Sequence, residues 1–123
     1  MTLDTNAIIA FLGGEEAIVE LFSNWKQRGV PLFLPTVVEA EVLSFQKWTQ
    51  AEQRNTELFL EEHFVSIPFE RAIARIAAGL RRISNIELPD AAIAASALYT
   101  HSPLVTRNVK DFRKVTGLTI VEI

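Results

Sequence analysis

Residues 1–12 read MTLDTNAIIAFL, and this stretch contains a strand end, a helix start and the junction between them. The first three residues predict the end of a buried strand, and the apolar residues from position 7 predict a helix. Asp4 lies at the junction. Because Asp, Thr and Asn all cap helices, Asp4 could be only an N-cap. Thr5 and Asn6 follow it, however, and one cap is enough, so a chemical role for Asp4 stays open.

Strands and helices alternate outward from this stretch along the whole chain. Helices are predicted at residues 7–12, 15–28, 36–47, 49–62, 70–84, 89–99 and 109–114, and strands at PLFLP (31–35), FVSI (64–67), PLVT (103–106) and LTIVEI (118–123). Such alternation is typical of a parallel sheet with helices on both faces. We therefore expect one α/β domain over residues 1–123, with three α/β/α layers and a short, mostly parallel central sheet.

Composition excludes several classes of protein. The chain has 123 residues, of which 49% are apolar, and it has no cysteine, so disulfides and thiolate metal sites are ruled out. No segment approaches the 20 or so apolar residues of a membrane span, and no signal peptide is evident, which favours the cytoplasm. The net charge of −3 argues against a broad basic surface, although local basic residues could still bind a polyanion.

Aspartate is rare and unevenly placed. The chain has twelve Glu but only three Asp, namely Asp4, Asp90 and Asp111. Each follows a predicted strand or opens a predicted helix, so all three should lie at the carboxyl edge of a parallel sheet, where ligands bind. Taken singly, each could be an acidic residue favoured by a helix dipole. Their shared position favours a common site.

A fourth carboxylate comes from the helix predicted at residues 36–47. At 100° per residue, its apolar side chains, including Phe45 and Trp48, cluster on one face, with Glu41 in the middle and Glu39 pointing away. A carboxylate on an apolar face is costly unless it is paired or binds a metal. Glu41 is therefore expected to be buried in the site, or else in a salt bridge, and Glu39 to be a surface residue.

Four neighbouring carboxylates need a cation, because otherwise they repel one another and some must take up protons. Hard oxygen ligands without sulfur suit Mg²⁺ or Mn²⁺, which bind phosphate oxygens and activate water. The natural substrate is a phosphodiester. The densest basic run surrounds Asp111 and could hold such a polyanion, although a solvated turn is the alternative; its members are Arg107, Lys110, Arg113 and Lys114.

Four motifs now resemble those of the PIN-domain ribonucleases, in the form found in VapC-type toxins. The motifs are LDTNAII (3–9), EAEVL (39–43), LPDAAIAASAL (88–98) and LVTRNVKDF (104–112). The resemblance covers nearly the whole chain. It implies an Mg²⁺- or Mn²⁺-dependent endoribonuclease that cleaves structured RNA such as tRNA, forms a homodimer and is blocked by a small antitoxin. The implied catalytic and metal-binding residues are Asp4, Glu41, Asp90 and Asp111, supported by Thr5, Asn6, Thr106 and Asn108.

Other functions remain open at the level of sequence. A haloacid-dehalogenase-type phosphatase would need a second Asp at position 6, where this chain has Asn6. A response-regulator receiver would need an Asp at the end of a middle strand, and neither PLFLP nor FVSI provides one. A catalytically silent PIN fold that binds RNA or a partner, and a housekeeping RNA-processing nuclease, are both compatible with the motifs.

Overall fold

A computed structural model describes residues 1–123 and contains a five-stranded sheet with seven helices. The elements are β1 (Thr2–Leu3), α1 (Thr5–Leu12), α2 (Glu16–Gln27), β2 (Phe33–Pro35), α3 (Thr36–Leu43), α4 (Gln50–His63), β3 (Val65–Ile67), α5 (Arg71–Ser84), α6 (Leu88–Tyr99), β4 (Leu104–Thr106), α7 (Val109–Phe112) and β5 (Ile120–Glu122). The strand order is β3-β2-β1-β4-β5, and every neighbouring pair is parallel. The predicted three-layer α/β/α fold is confirmed.

Strand β1 lies at the centre of the sheet, between β2 and β4. Both of its residues are fully buried, as expected for a parallel sheet with helices on both faces. Helix α6 is buried along Ala91–Ala97, and its small side chains allow close packing against β1 and β2. None of the helices is both long enough and apolar enough to cross a bilayer.

Helix α3 is shorter than the sequence pattern predicts, and this changes the surface next to Glu41. The helix ends at Leu43 instead of Lys47. Two side chains add hydrogen bonds to carbonyl groups of its last turn. The Ser44 hydroxyl donates to the Ala40 carbonyl at 2.5 Å, and the Trp48 indole N–H donates to the Val42 carbonyl at 3.2 Å.

The next helix limits how far α3 could extend. Thr49 is the N-cap of α4, and its hydroxyl accepts from the Glu52 N–H at 3.1 Å. The Glu52 carboxylate accepts from the Thr49 N–H at 3.0 Å, which completes the capping box that the sequence TQAE (49–52) predicts. Because an N-cap is not helical, α3 cannot extend through Thr49, and residues 44–48 connect the two helices. Smaller differences lie elsewhere: α1 begins at Thr5, and Pro89 is the second residue of α6 instead of the first.

Candidate metal-binding and catalytic site

Two neighbouring strands end side by side at the carboxyl edge of the sheet. Leu3 of β1 is paired with Val105 of β4, and the Asp4 backbone N–H donates to the Val105 carbonyl at 3.1 Å. Asp4 therefore leaves the sheet next to Thr106, the last residue of β4. This edge is where open parallel sheets bind ligands.

Asp4 is both a helix cap and a buried pocket residue. Its side chain is 4% exposed, and Oδ1 accepts from the Thr5 backbone N–H at 2.8 Å, which caps α1. Oδ2 accepts from the Thr106 hydroxyl at 2.5 Å and from the Asn6 amide at 3.1 Å. Burial raises the pKa of the Asp4 carboxyl; these hydrogen bonds oppose the rise, and the charge of Glu41 adds to it. A cap alone would need only the first of these contacts.

Polar side chains connect this pocket to the segment that follows β4. Asn6 Oδ1 accepts from the Arg107 backbone N–H at 3.0 Å. The Thr106 hydroxyl also accepts from the Asn108 backbone N–H at 2.9 Å, and the Asn108 amide donates to Asp111 Oδ2 at 2.8 Å. Asn6, Thr106 and Asn108, three of the supporting residues that the resemblance implies, thus fix the backbone at residues 107–108 and the side chain of Asp111.

Glu41 reaches the site from α3, but the structure corrects the reason given for it. Glu41 is exposed to solvent, whereas the helical pattern predicted a carboxylate buried in an apolar face. The prediction was wrong because it counted Phe45 and Trp48 as helical, although α3 has ended before them. The Glu41 carboxylate accepts a hydrogen bond from the Thr5 hydroxyl at 2.6 Å, which holds it beside the Asp4 pocket.

Glu39 faces a different neighbourhood, although it is only two residues away on the same helix. It is half-buried, not a fully exposed surface residue as predicted. Burial raises the pKa of the Glu39 carboxyl, and the charges of Glu61 and Glu57 on α4 raise it further. The two glutamates of α3 therefore lie in separate acidic environments, and only Glu41 contacts a residue of the Asp4 pocket.

Asp90 provides the observation that joins the four carboxylates. It lies in the first turn of α6 and is half-buried. Burial raises the pKa of the Asp90 carboxyl, and the charges of Asp4, Asp111 and Glu41, in that order, raise it further. Lys114 acts in the opposite direction. The charges of the other three predicted carboxylates therefore all act on Asp90, and the charge of Glu41 also acts on Asp4.

The same side chains do not form a finished coordination shell. No group of three acidic or histidine side chains lies close enough together to hold a metal ion. The Asp4, Glu41 and Asp111 carboxylates are instead held by hydroxyl and amide donors. The donor chemistry nevertheless fits a hard divalent cation, since it consists of oxygen atoms only. Modest side-chain movements would have to accompany its binding.

The predicted basic run divides into different environments. The Arg107 guanidinium forms an ion pair with Glu15, so Arg107 is not a free cation. Lys110 and Arg113 are exposed and form no ion pair, and Lys114 donates to the Asn85 carbonyl at 3.4 Å. Of the four, only Lys114 acts on a carboxylate of the site, through the effect of its charge on Asp90.

An apolar hollow of about 500 Å³ adjoins the site on the side of Glu41. Its lining consists of Ile9, Leu12, Gly13, Glu41, Val42, Ser44, Phe45 and Trp48. Sequence reasoning placed Phe45 and Trp48 on an apolar helical face, whereas Phe45 is 55% exposed. The capping box at Thr49 did not reveal this surface, because a helix over residues 36–47 is compatible with an N-cap at Thr49.

Fold and site together define an α/β protein with an acidic pocket at the carboxyl edge of an all-parallel sheet. The profile of the PIN-domain family matches residues 1–118, and the chain belongs to this family. The predicted resemblance is confirmed. PIN domains of VapC-type toxins are generally nucleases.

Solved structures with the same fold come from bacterial complexes. A toxin–antitoxin complex from Klebsiella pneumoniae contains a chain that is 28% identical, with a TM-score of 0.81 and coverage of 99% of this chain and 98% of that one. A chain of VapBC2 from Rickettsia felis, bound to a promoter DNA fragment, has a TM-score of 0.86 at 21% identity, and the match covers 99% of this chain and 97% of that one. A chain of VapBC-1 from nontypeable Haemophilus influenzae has a TM-score of 0.82 at 21% identity, and the match covers 98% of this chain and 96% of that one. Curated protein sequences include no significant match.

Proposed function

We propose that this chain is a metal-dependent endoribonuclease and the toxin of a toxin–antitoxin pair. The observation that carries the nuclease proposal is that the charges of Asp4, Glu41 and Asp111 all act on the half-buried Asp90 within a PIN fold. The toxin proposal is supported by the similarity to a chain of a toxin–antitoxin complex over almost the full length of both chains. Structured RNA such as tRNA is the proposed substrate, and the cytoplasm the proposed location.

The four carboxylates would hold Mg²⁺ or Mn²⁺ and one phosphodiester of the substrate. A divalent ion in such a site neutralises phosphate oxygens and lowers the pKa of water. Thr106 and Asn6 orient the Asp4 carboxylate, Thr5 orients Glu41, and Asn108 orients Asp111. These contacts keep the acidic side chains on one side of the reacting phosphate. Lys110, Arg113 and Lys114 would neutralise neighbouring phosphates of the RNA.

An antitoxin would inhibit such an enzyme by covering the carboxylates. The apolar hollow is a suitable place for one of its apolar segments, because it is lined by Phe45 and Trp48 and shares Glu41 with the site. Phe45 and Trp48 are in edge-to-face contact, with ring centroids 5.4 Å apart. Exposed aromatic side chains at a pocket are typical anchors of protein interfaces. We also propose that the toxin acts as a homodimer.

The first prediction concerns the metal. The purified protein should cleave RNA in Mg²⁺ or Mn²⁺ and lose that activity in excess EDTA, because the carboxylates alone cannot bring a polyanion into an acidic pocket. Activity should return when the ion is restored. Undiminished cleavage in EDTA would contradict the metal mechanism. Specific binding of RNA without cleavage in any divalent ion would favour the silent PIN fold instead.

The second prediction concerns the antitoxin surface. A small antitoxin encoded next to this gene is expected to bind the chain, and Phe45→Ser should weaken that binding about tenfold or more, since an aromatic anchor is lost. Phe69→Ser is the matched control, because Phe69 is 46% exposed and lies outside the hollow. The dissociation constants can be measured by titration calorimetry. Equal weakening by both substitutions would remove the hollow from the interface.

A further inference from the structure

The charges of this chain are strongly segregated, although its net charge is only −3. Residues 71–114 contain eight basic and three acidic side chains, which gives this segment a net charge of +5. The remainder contains four basic and twelve acidic side chains, a net charge of −8. The small net charge of the whole chain therefore conceals a positively charged segment, and this segment starts with helix α5.

Helix α5 presents three arginines on one exposed face. Arg71, Arg75 and Arg82 are exposed, and at 100° per residue they fall within a narrow sector of the helix. The opposite face is apolar, and its residues Ile73 and Ala77 are buried. No acidic residue lies within α5, and none of the three arginines forms an ion pair. We refer to Arg71, Arg75 and Arg82 as the α5 arginine strip.

The C-terminal end of α5 lies near the carboxylate site. The Ser84 hydroxyl at the end of α5 donates to the Lys114 carbonyl at 3.2 Å, and the Lys114 ammonium donates to the Asn85 carbonyl at 3.4 Å. The charge of Lys114 in turn acts on Asp90. Helix α5 also packs along α6, the helix that carries Asp90. The C-terminal end of α5, two residues after Arg82, therefore lies beside Lys114, and Asp90 follows that end by only six residues of chain.

A hollow at the near end of the strip is suited to an anion. Its volume is about 310 Å³, and it is lined by Ala78, Arg81, Arg82, Asn85 and Ile86. The Arg81 side chain is anchored, since its Nε donates to the Ile86 carbonyl at 3.2 Å, whereas Arg82 is free. Two guanidinium groups beside a small alanine leave room for a phosphate group, which planar guanidinium groups bind well.

We propose that the α5 arginine strip binds the sugar–phosphate backbone of the RNA substrate beyond the cleaved phosphodiester. This inference rests on the proposed function and extends it to the path of the RNA. Arg71 and Arg82 are separated by roughly 16 Å along the helix axis, enough for several consecutive phosphates. An acidic protein segment would also be attracted to the strip. RNA fits better because α5 packs along α6, and the strip ends only eight residues before Asp90, where the phosphodiester would be cleaved.

The test compares two double variants whose substitutions remove equal charge. Arg75→Gln with Arg82→Gln alters the strip, and Arg28→Gln with Arg54→Gln alters exposed arginines in the acidic remainder. Binding of bulk tRNA is measured against salt concentration, in a Glu41→Gln background so that the RNA stays intact. The strip variant should lower the slope of log K against log salt by about 1.4, as expected for two lost phosphate contacts, and the control should leave it unchanged.

Cleavage of a long and a short substrate then shows whether the lost contacts lie outside the carboxylate site. With active protein, the strip substitutions should raise KM for tRNA about tenfold and change it less than about twofold for an oligonucleotide that covers only the carboxylate site. An unchanged salt slope, or equal loss with both substrates, would overturn the proposal. So would strip variants that bind RNA normally but lose an acidic partner. If the wild-type chain cleaves no RNA, the proposed function fails, while the salt slope still decides whether the strip binds RNA.

Discussion

RNA cleavage should fall by about 100-fold or more in a Glu41→Gln variant, whereas Glu39→Gln should cleave at nearly the wild-type rate. Even residues that only orient metal ligands cost about 10- to 100-fold when changed, so a ligand itself should cost at least the upper value. Glutamine keeps the size of the side chain and can still accept a hydrogen bond from Thr5. Any loss therefore reports the missing charge at position 41.

The two glutamates form a matched pair, because they lie on the same helix and differ in what surrounds them. Glu39 is half-buried near Glu57 and Glu61, so its replacement by glutamine relieves repulsion there and should not destabilise the protein at neutral pH. Initial cleavage rates at saturating Mg²⁺ and melting temperatures of both variants provide the comparison. If Glu39→Gln were the inactive variant, the assignment of Glu41 to the site would be wrong.

Asp4→Asn should have an equally large effect on cleavage and an opposite effect on the stability of the metal-free protein. Asparagine caps helices as well as aspartate does, so the start of α1 should survive. Burial raises the pKa of the Asp4 carboxyl, which means that the folded state disfavours its charge. Removal of that charge should raise the melting temperature in EDTA at neutral pH, less the cost of turning an amide donor toward the Thr106 hydroxyl and the Asn6 amide.

The pH dependence of this difference has a definite sign. An acid whose pKa is raised by folding makes the protein most stable below its ordinary pKa of 3.8, where it is neutral in both states, and less stable as pH rises through the higher folded value. The wild-type chain should therefore lose stability in that interval. The Asp4→Asn chain should lack this loss, so the two melting curves should converge in acid.

Added Mg²⁺ distinguishes a cap from a ligand. A ligand that binds only the folded state raises its stability, and loss of a ligating group reduces that gain. Wild-type protein and the Glu39→Gln control should both melt at higher temperature with Mg²⁺, while Asp4→Asn should gain little and should not cleave RNA. A variant that still gains the full stabilisation and still cleaves RNA would reduce Asp4 to the cap that the sequence alone allows.

The sequence by itself determined the features that depend on near neighbours. The alternation of strands and helices predicts the parallel α/β fold, because hydrophobic periodicity is set within each element. The capping box at Thr49 is equally local, since an N-cap contacts only the next few residues. The placement of Asp4 at a strand end also follows from the local pattern. These predictions agree with the structure.

Only the tertiary structure decided which side chains are exposed and what they contact. The exposure of Glu41 depends on where α3 stops, and its contact with Thr5 joins two helices that are far apart in sequence. Arg107 is paired with Glu15, and the end of α5 lies beside Lys114, through contacts that no periodicity encodes. Such contacts are set by how whole elements pack. The local pattern therefore predicted the three aspartates at the carboxyl edge of the sheet, whereas packing decided that Glu41 contacts Thr5 from an exposed position and that the charges of Asp4, Asp111 and Glu41 act on Asp90.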